Sequence, residues 1–249
     1  MKIYVDVTAK GVTVYASGSG DNGEWETTFV PLPSGLFDNS SDKTPLNLPK
    51  FKAASVVMIA SMRKTIIRVT DFPATENQWA LIRQVFPIGN GMNENTHIFD
   101  ASEFVNAKGK SCFFMAALPI ETGNMITKIG EALTGSIYQL ESIDTAEHIL
   151  FKRYTTQSGA FLILLPQDGG LRLLHIADGL PRWASDISNN PNHRESEFSR
   201  CIQNIETTTQ AIFLYREYAD ISKWQWLHEI ISASGVAIEE KQFSLKGGV

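Results

Sequence analysis

The feature that most constrains the fold is a pattern that occurs twice along the chain. Three consecutive strands are followed by an alternation of strands and helices. Alternating, β-branched residues predict the first set of strands over residues 3–30, and a second set over residues 160–187 includes the hairpin signal Asp178-Gly179. Strands followed by strand–helix alternation indicate an α/β protein, and the repetition indicates a duplicated one.

The size and composition of the chain agree with an ordinary globular protein. Of its 249 residues, 43% are hydrophobic and 20% are charged, so we expect a real core. The net charge of -5, with no basic cluster, argues against nucleic acid binding. The two cysteines, Cys112 and Cys201, lie too far apart in sequence for a metal or redox pair and indicate a reduced, cytosolic chain.

Neither end of the chain contains a targeting segment that we can identify. The first residues predict a strand, because no apolar core of a signal peptide follows Met1. No apolar stretch approaches the roughly 20 residues that cross a bilayer. The last four residues, 246–249, leave open whether a transmembrane segment follows in the natural protein.

Three stretches of sequence carry a resemblance to a known family. They are Tyr-Val-Asp-Val-Thr-Ala-Lys-Gly at residues 4–11, Ile-Ile-Arg-Val-Thr-Asp-Phe-Pro at 66–73 before a predicted helix, and Ile-Phe-Leu at 212–214 followed by a helix and Ser-Gly-Val at 234–236. In this order they resemble the actin-like ATPase superfamily. Within it, the chain is similar to the pilus assembly protein PilM and to the cytoplasmic domain of the type II secretion protein GspL.

The resemblance implies an α/β, actin-like fold, which is a duplicated RNase H-like fold with two lobes. It also implies a small inserted α+β subdomain. The first lobe would cover residues 1–156, with the inserted subdomain at about 64–118, and the second lobe would cover residues 157–249.

The first phosphate hairpin of such a protein departs from the pattern that ATP binding needs. Each hairpin normally supplies an aspartate for the hydrated metal ion and then a glycine that lets backbone N–H groups approach a phosphate. Asp6 is present here, but Thr8 stands at the glycine position two residues later.

The second phosphate hairpin departs further. Our alignment places Leu165 at the aspartate position and Gln167 at the glycine position, and Asp168-Gly169-Gly170 restores the motif only with a shift of register. The loop on the adenosine side, residues 215–218, is Tyr-Arg-Glu-Tyr instead of a glycine-rich run.

Three departures together predict a pseudo-ATPase with no catalytic residue, no metal and no cofactor. The remnants of the phosphate loops would then be vestigial. They are Asp6, Thr8, Gln167, Asp168 and Gly169.

A pseudo-ATPase of this family implies a non-catalytic cytoplasmic scaffold, peripheral to the inner membrane, of a type IV pilus or type II secretion assembly platform. It would bind the tail of a bitopic inner-membrane protein, the assembly ATPase or both, and a homodimer is compatible with this role. A tail could add to a strand edge or fill a cleft beside the inserted subdomain. The candidate contact residues are Ile67, Val69, Phe72, Phe113, Phe114 and, on a later helix, Trp226.

The tryptophan pair carries a separate expectation. Trp224 and Trp226 are two residues apart in a predicted helix, so they cannot share one helical face. We therefore expect one of them in the core and the other partly exposed, where it could contact a partner.

Two enzyme classes remain as alternatives. An active actin-like ATPase or small-molecule kinase would use ATP and Mg²⁺, with Asp6 and either Asp168 or Asp178 holding the metal. A metabolic enzyme on an unrelated α/β fold is the other. Gly18-x-Gly20-x-x-Gly23 matches a dinucleotide fingerprint literally, but a strand is predicted to follow it where the fingerprint needs a helix.

Overall fold

The computed structural model describes residues 2–17, 25–37, 46–52, 55–62, 64–71, 92, 95–135, 140–203, 205–206, 208–216 and 224–245. The strands among these residues are β1 (Lys2–Val7), β2 (Gly11–Ser17), β3 (Trp25–Pro31), β4 (Ser55–Ala60), β5 (Ile66–Thr70), β6 (His97–Val105), β7 (Ser111–Pro119), β8 (Leu140–Thr145), β9 (Phe161–Gln167), β10 (Gly170–Ala177), β11 (Leu180–Ser188), β12 (Gln210–Tyr215) and β13 (Ile238–Gln242). The helices are α1 (Ile120–Thr134), α2 (Ala146–Thr155), α3 (Arg194–Ile202) and α4 (Gln225–Ala233). The predicted helix at residues 75–86 lies outside the described residues.

The first sheet has the strand order β3-β2-β1-β4-β8. Strands β1, β2 and β3 form an antiparallel meander, and β4 and β8 join it in parallel. The central strand β1 is buried from Ile3 to Val7, because both faces of the sheet are covered there.

The second sheet repeats this arrangement strand for strand, with the order β11-β10-β9-β12-β13. Strands β9, β10 and β11 form an antiparallel meander, and β12 and β13 add in parallel beside β9. The duplicated α/β fold predicted from the sequence is therefore confirmed.

The third sheet is small and antiparallel, with the order β5-β7-β6. The chain enters it after β4 and leaves it through α1 toward β8, so the sheet interrupts the path of the first lobe. The limits assigned above to the lobes and to the inserted subdomain stay predictions.

The helices and the two large sheets form alternating layers. Helix α2 lies between the sheets, where its Leu150 and Phe151 share one core with Ile59 of the first sheet and Ile163 of the second. Helix α1 covers the outer face of the first sheet, and α3 and α4 cover that of the second. Because α2 contributes to the core between the sheets, removing it would expose both inner faces.

The expectation for the tryptophan pair is wrong. Trp224 and Trp226 are both buried, with 6% and 7% of their surface exposed, and their ring centroids lie 6.4 Å apart. Trp224 is the residue before α4 and has a non-helical backbone, so helical spacing does not apply to it. Both rings pack with Phe198 of α3 in the core on the outer face of the second sheet.

No helix in the described ranges combines the length and the apolar character needed to cross a membrane. The longest of the four, α1, has 15 residues.

Candidate functional site

The carboxylate of Asp6 forms a buried ion pair with the guanidinium of Arg216. Asp6 stands near the end of β1 and is fully buried, whereas Arg216 directly follows β12 of the second sheet. Arg216 donates from Nε to Asp6 Oδ2 over 2.8 Å, and Ser61 donates its hydroxyl to Asp6 Oδ1. The aspartate expected to be vestigial therefore joins the two lobes.

The guanidinium of Arg216 also contacts the second lobe at two points. It donates from Nη1 to the carbonyl oxygen of Pro166 over 3.1 Å, and it lies 4.7 Å from the ring centroid of Phe243. Pro166 is close to the end of β9, the strand equivalent to β1. A single side chain thus occupies the region where the ends of both central strands meet.

The two phosphate-type hairpins meet at their tips. In the first hairpin the Thr8 hydroxyl donates to the Gly11 carbonyl oxygen and accepts from the Gly11 amide, so the side chain closes the turn. Lys10 at this tip forms a 3.8 Å ion pair with Asp168 at the tip of the second hairpin. The turn is therefore held by a threonine side chain instead of presenting open amides.

Glycines of the second hairpin are explained by backbone geometry. Gly169 has φ of 79°, which favours glycine at this turn position. A Cβ on Gly170 would overlap the carbonyl oxygen of Ile187 on the neighbouring strand. Pairing of Gly170 with Gln167 confirms the register assumed from the sequence, in which Leu165 is equivalent to Asp6.

A second buried ionic cluster lies beside the first. Arg172 of β10 donates to Glu147 of α2 over 2.7 Å, to Asp186 of β11 over 2.7 and 3.0 Å, and to the Thr65 carbonyl oxygen over 2.9 Å. Gln167 donates to the same oxygen of Glu147 over 2.9 Å. Burial lowers the pKa of Arg172, but the two carboxylates outweigh burial and raise that pKa above its ordinary value.

In the cleft where actin-like ATPases bind a magnesium nucleotide, polar side chains of this chain contact one another. The carboxylate of Asp6 is paired with Arg216, the Thr8 side chain closes its own turn, and the Gln167 side chain donates to Glu147. Asp178, the alternative metal ligand, sits at the β10–β11 turn, at the far end of β10 from Gly170, so it does not join Asp6. Within the described residues, no group of three or more histidine, cysteine and acidic side chains could hold a metal ion.

A different site lies between the third sheet and the edge of the first. We call it the strand-edge groove. It has a volume of about 280 Å³ and lies between one face of β6 and β7, strand β8 and the start of α2. Its lining includes Ile98, Asp100, Phe114, Ser142, Asp144 and His148.

Strand β6 is an edge strand of the third sheet, as far as the described residues show, and lies beside this groove. Its bonds to β7 are made by even-numbered residues, because Ile120 N–H donates to Thr96 and Asn106 N–H donates to Lys110 at the two ends of the ladder. The N–H of Ala101 therefore points away from β7, and it donates to Asp100 Oδ1 over 2.8 Å.

Strand β8 is an edge strand of the first sheet, and its last two residues make a similar contact. Asp144 Oδ1 accepts from the backbone N–H of Thr145 and from Nδ1 of His148, both over 2.7 Å. Burial raises the pKa of Asp144, but these hydrogen bonds outweigh it and hold that pKa below its ordinary value. The imidazole of His148 stacks on Phe114 with 5.4 Å between centroids and 3° between planes.

The structure separates the residues predicted to contact a partner. Phe114 lines the strand-edge groove. Ile67 is buried in the core between the lobes with Val69 packed against that core, and Phe113 is buried on the opposite face of the third sheet. Trp226 lies in the outer core of the second lobe, and Phe72 is outside the described residues. Partner contact by these residues stays a prediction.

The two paired sheets and the cleft between them define the class of protein. The chain has the actin-like ATPase fold. Solved structures similar to it include the PilM-PilN type IV pilus biogenesis complex, with a TM-score of 0.66 and 12% identity over 96% of this chain and 88% of that chain.

Two further structures support the same fold. A protein of unknown function with actin-like ATPase fold from Bacteroides thetaiotaomicron has a TM-score of 0.60 and 9% identity, over 96% of this chain and 90% of that chain. The cytoplasmic domain of EpsL, an inner membrane component of the Vibrio cholerae type II secretion system, has a TM-score of 0.53 and 10% identity, over 98% and 90%. No family model matches the sequence, and no curated protein matches it. The predicted resemblance is thus confirmed at the level of fold.

Two functional pairs were missed by the sequence analysis. Asp6 and Arg216 are 210 residues apart, and no local pattern connects them. Asp144 and His148 are four residues apart and did offer a signal, but they lie on either side of the junction between β8 and α2. A search restricted to single helices or strands does not find such a pair.

Proposed function

We propose that this chain is a non-catalytic, cytoplasmic scaffold of a type IV pilus or type II secretion assembly platform, peripheral to the inner membrane. It binds an extended segment of a bitopic inner-membrane protein in the strand-edge groove. The observation that carries the proposal is the pair of edge strands beside this groove, β6 and β8, in each of which a backbone N–H donates to the neighbouring aspartate.

The groove suits an extended segment for a physical reason. A strand edge offers alternating N–H and C=O groups to an incoming chain, and pockets between side chains supply specificity. The lining contains apolar side chains, among them Ile98, Phe114 and Leu118, and Ile98 is 51% exposed. A segment that covered these side chains would bury apolar surface and, at the same time, extend the hydrogen-bond ladder of the strand beside it.

The structural likenesses support a role of this kind. One similar structure is a complex of PilM with PilN, and another is the cytoplasmic domain of an inner membrane secretion component. The first is a pilus biogenesis complex, and the second belongs to a type II secretion system. We include in the proposal that the chain acts with an assembly ATPase and as a homodimer, although we assign neither partner a surface.

The interlobe cleft supports the non-catalytic part of the proposal. An actin-like enzyme uses its first-strand aspartate to hold a hydrated metal ion, whereas Arg216 supplies a fixed positive charge to Asp6 instead. An active ATPase or small-molecule kinase would have to break this buried pair before each turnover.

The groove is tested with labelled peptides. Cytoplasmic tails of bitopic inner-membrane proteins from the same organism, made as fluorescent peptides, are titrated with the full chain and followed by fluorescence anisotropy. Ser142→Trp fills the groove from an exposed position on β8, and Thr28→Trp on exposed β3 is the matched control. We expect one tail to bind the wild type and Thr28→Trp equally and Ser142→Trp at least tenfold more weakly. Equal binding by all three proteins would refute the groove.

The absence of nucleotide chemistry is tested by isothermal calorimetry with Mg-ATP up to millimolar concentration. We expect no heat of binding. Micromolar binding would overturn the pseudo-ATPase part of the proposal and favour the enzyme alternative, and a hydrolysis assay with Asp6→Ala would then follow.

A further inference from the structure

The strand-edge groove is acidic. Asp100 and Asp144 both belong to its lining, and no lysine or arginine of the described residues does. His148 is the single basic side chain there, and its Nδ1 is already hydrogen-bonded to Asp144. An occupant of the groove therefore meets two carboxylates and, among the described residues, no lysine or arginine in the lining itself.

The two carboxylates are held in the same way on facing walls. Asp100 accepts from the edge N–H of Ala101 on β6, and Asp144 accepts from Thr145 at the end of β8. Each aspartate is thus fixed by the backbone N–H of the residue that follows it, on a strand that ends its sheet among the described strands. This places two acceptor groups at defined positions along the path that an extended segment would follow.

The apolar part of the lining restricts which residues can flank a charged residue of the bound segment. Ile98, Phe114 and Leu118 supply apolar surface on the face formed by β6 and β7. Because side chains of an extended segment alternate between its two sides, a charged side chain can reach the aspartates while its neighbours meet apolar surface or solvent.

We infer that the strand-edge groove selects an extended segment with a lysine or arginine side chain, flanked by apolar residues, which binds between Asp100 and Asp144. The inference rests on the proposed function, because it names the chemistry of the tail that the groove accepts. A segment with glutamate at this position is rejected, since its carboxylate would be placed among two others without a cation.

The experiment uses peptide libraries, so it does not need the natural tail. Four positional libraries of ten-residue peptides, blocked at both ends and labelled with fluorescein, carry lysine, arginine, glutamine or glutamate at the centre and mixed apolar and small residues elsewhere. Binding to the full chain is measured by fluorescence anisotropy. We expect the lysine and arginine libraries to bind at least tenfold more tightly than the glutamate library.

Two charge-reversal variants test whether the preference for lysine and arginine comes from the groove. Asp100→Lys changes an exposed residue of the groove, and Glu26→Lys makes the same change of net charge on exposed β3, outside the groove. We expect Asp100→Lys to reduce the ratio of lysine to glutamate binding at least tenfold, and Glu26→Lys to leave it within twofold. Circular dichroism and the unfolding midpoint establish that both variants are folded.

Each outcome decides the inference. Equal binding of all libraries, abolished by Ser142→Trp, overturns the cation preference while the proposed function stands. If Asp100→Lys and Glu26→Lys lower the ratio of lysine to glutamate binding equally, the preference comes from the net charge of the chain and not from the groove. This result also overturns the inference. No binding of any library, together with no binding of any natural tail, overturns both proposals.

Discussion

Lys10 and Asp168 stand at the tips of equivalent hairpins in the two lobes, and their side chains form an ion pair across the gap between the tips, 3.8 Å from Nζ to Oδ1. In an ATP-binding member of this fold class, the two tips would grip phosphates. Here they contact each other, and the buried pair of Asp6 and Arg216 lies behind them. The exposed pair and the buried pair allow a direct comparison of their contributions to stability.

Removing Arg216 should strongly destabilise the chain. Arg216→Ala leaves the carboxylate of Asp6 buried without a counter-ion, and breaking one side of such a pair costs about 3–5 kcal/mol. Lys10→Ala removes one side of the solvent-exposed pair and should cost less than about 1 kcal/mol. Urea unfolding followed by circular dichroism measures both changes. A loss below 1 kcal/mol for Arg216→Ala would show that the buried pair does not hold the lobes together.

Gly170→Ala should be destabilising through a backbone clash. The added Cβ would overlap the Ile187 carbonyl oxygen on β11, and relieving such overpacking costs about 1–3 kcal/mol. Gly130→Ala in α1 is the matched control, because its Cβ would meet the sulfur of Met58 at an ordinary 3.5 Å. In Gly130→Ala, the better helix propensity of alanine should raise the free energy of unfolding by roughly 0.5–1 kcal/mol. Thermal unfolding of the two variants should therefore shift in opposite directions, and a shift in the same direction contradicts the prediction.

His175 should make stability fall at acidic pH. Burial, with a smaller contribution from the charge of Arg182, lowers the pKa of His175 from 6.5 to about 4 in the folded chain. Because the unfolded chain then binds more protons, the stabilisation is present above pH 6.5 and is lost as the pH falls toward 4. At 1.36 kcal/mol for each unit of pKa shift, the loss is about 3 kcal/mol.

The contribution of His175 can be isolated by substitution. His175→Phe keeps an aromatic ring against Trp183, whose centroid is 5.3 Å away, and should remove this part of the pH dependence. His193→Asn, at an exposed position, should retain it. Urea unfolding at pH 5.0 and 7.5 measures the difference, and identical pH slopes for wild type and His175→Phe would contradict the assignment.

Cys112 should not react with thiol reagents while the chain is folded. Burial is the main cause that raises the pKa of its thiol to about 12, and its Sγ donates to the Pro181 carbonyl oxygen over 3.3 Å. Cys201 is only partly buried and should react first. Labelling with a chromogenic disulfide reagent at pH 8, in the wild type and in Cys201→Ser, measures this. Fast labelling of Cys112 in folded Cys201→Ser would contradict the expectation.

Local patterns in the sequence are sufficient to predict the repeated part of the fold. Meander strands, hairpin turns and amphipathic helices are encoded within ten to fifteen residues, so the two copies of the sheet could be predicted. Element ends were less accurate. The two meanders predicted over residues 3–30 and 160–187 extend from Lys2 to Pro31 and from Phe161 to Ser188. Fraying and tertiary packing, which sequence patterns do not contain, decide such ends.

The candidate site could be predicted only in part. A groove beside the inserted subdomain was expected, and Phe114 lines one. Phe113 and Phe114 alternate across the same strand, so which of them faces the groove depends on the register with β6, and local sequence does not supply that register. The Asp6–Arg216 pair could not be predicted either, because it forms only when the two lobes dock and its residues are 210 positions apart.

The position of Arg216 has a consequence for cellular energy supply. Actin-like proteins that close around ATP respond to its concentration, because the bridge between their lobes is a diffusible molecule. In this chain the cation at Asp6 is covalently part of the polypeptide, so its local concentration is set by the fold alone. Under the proposed function, the arrangement of the lobes, and the groove beside them, should therefore be the same in starved and in growing cells.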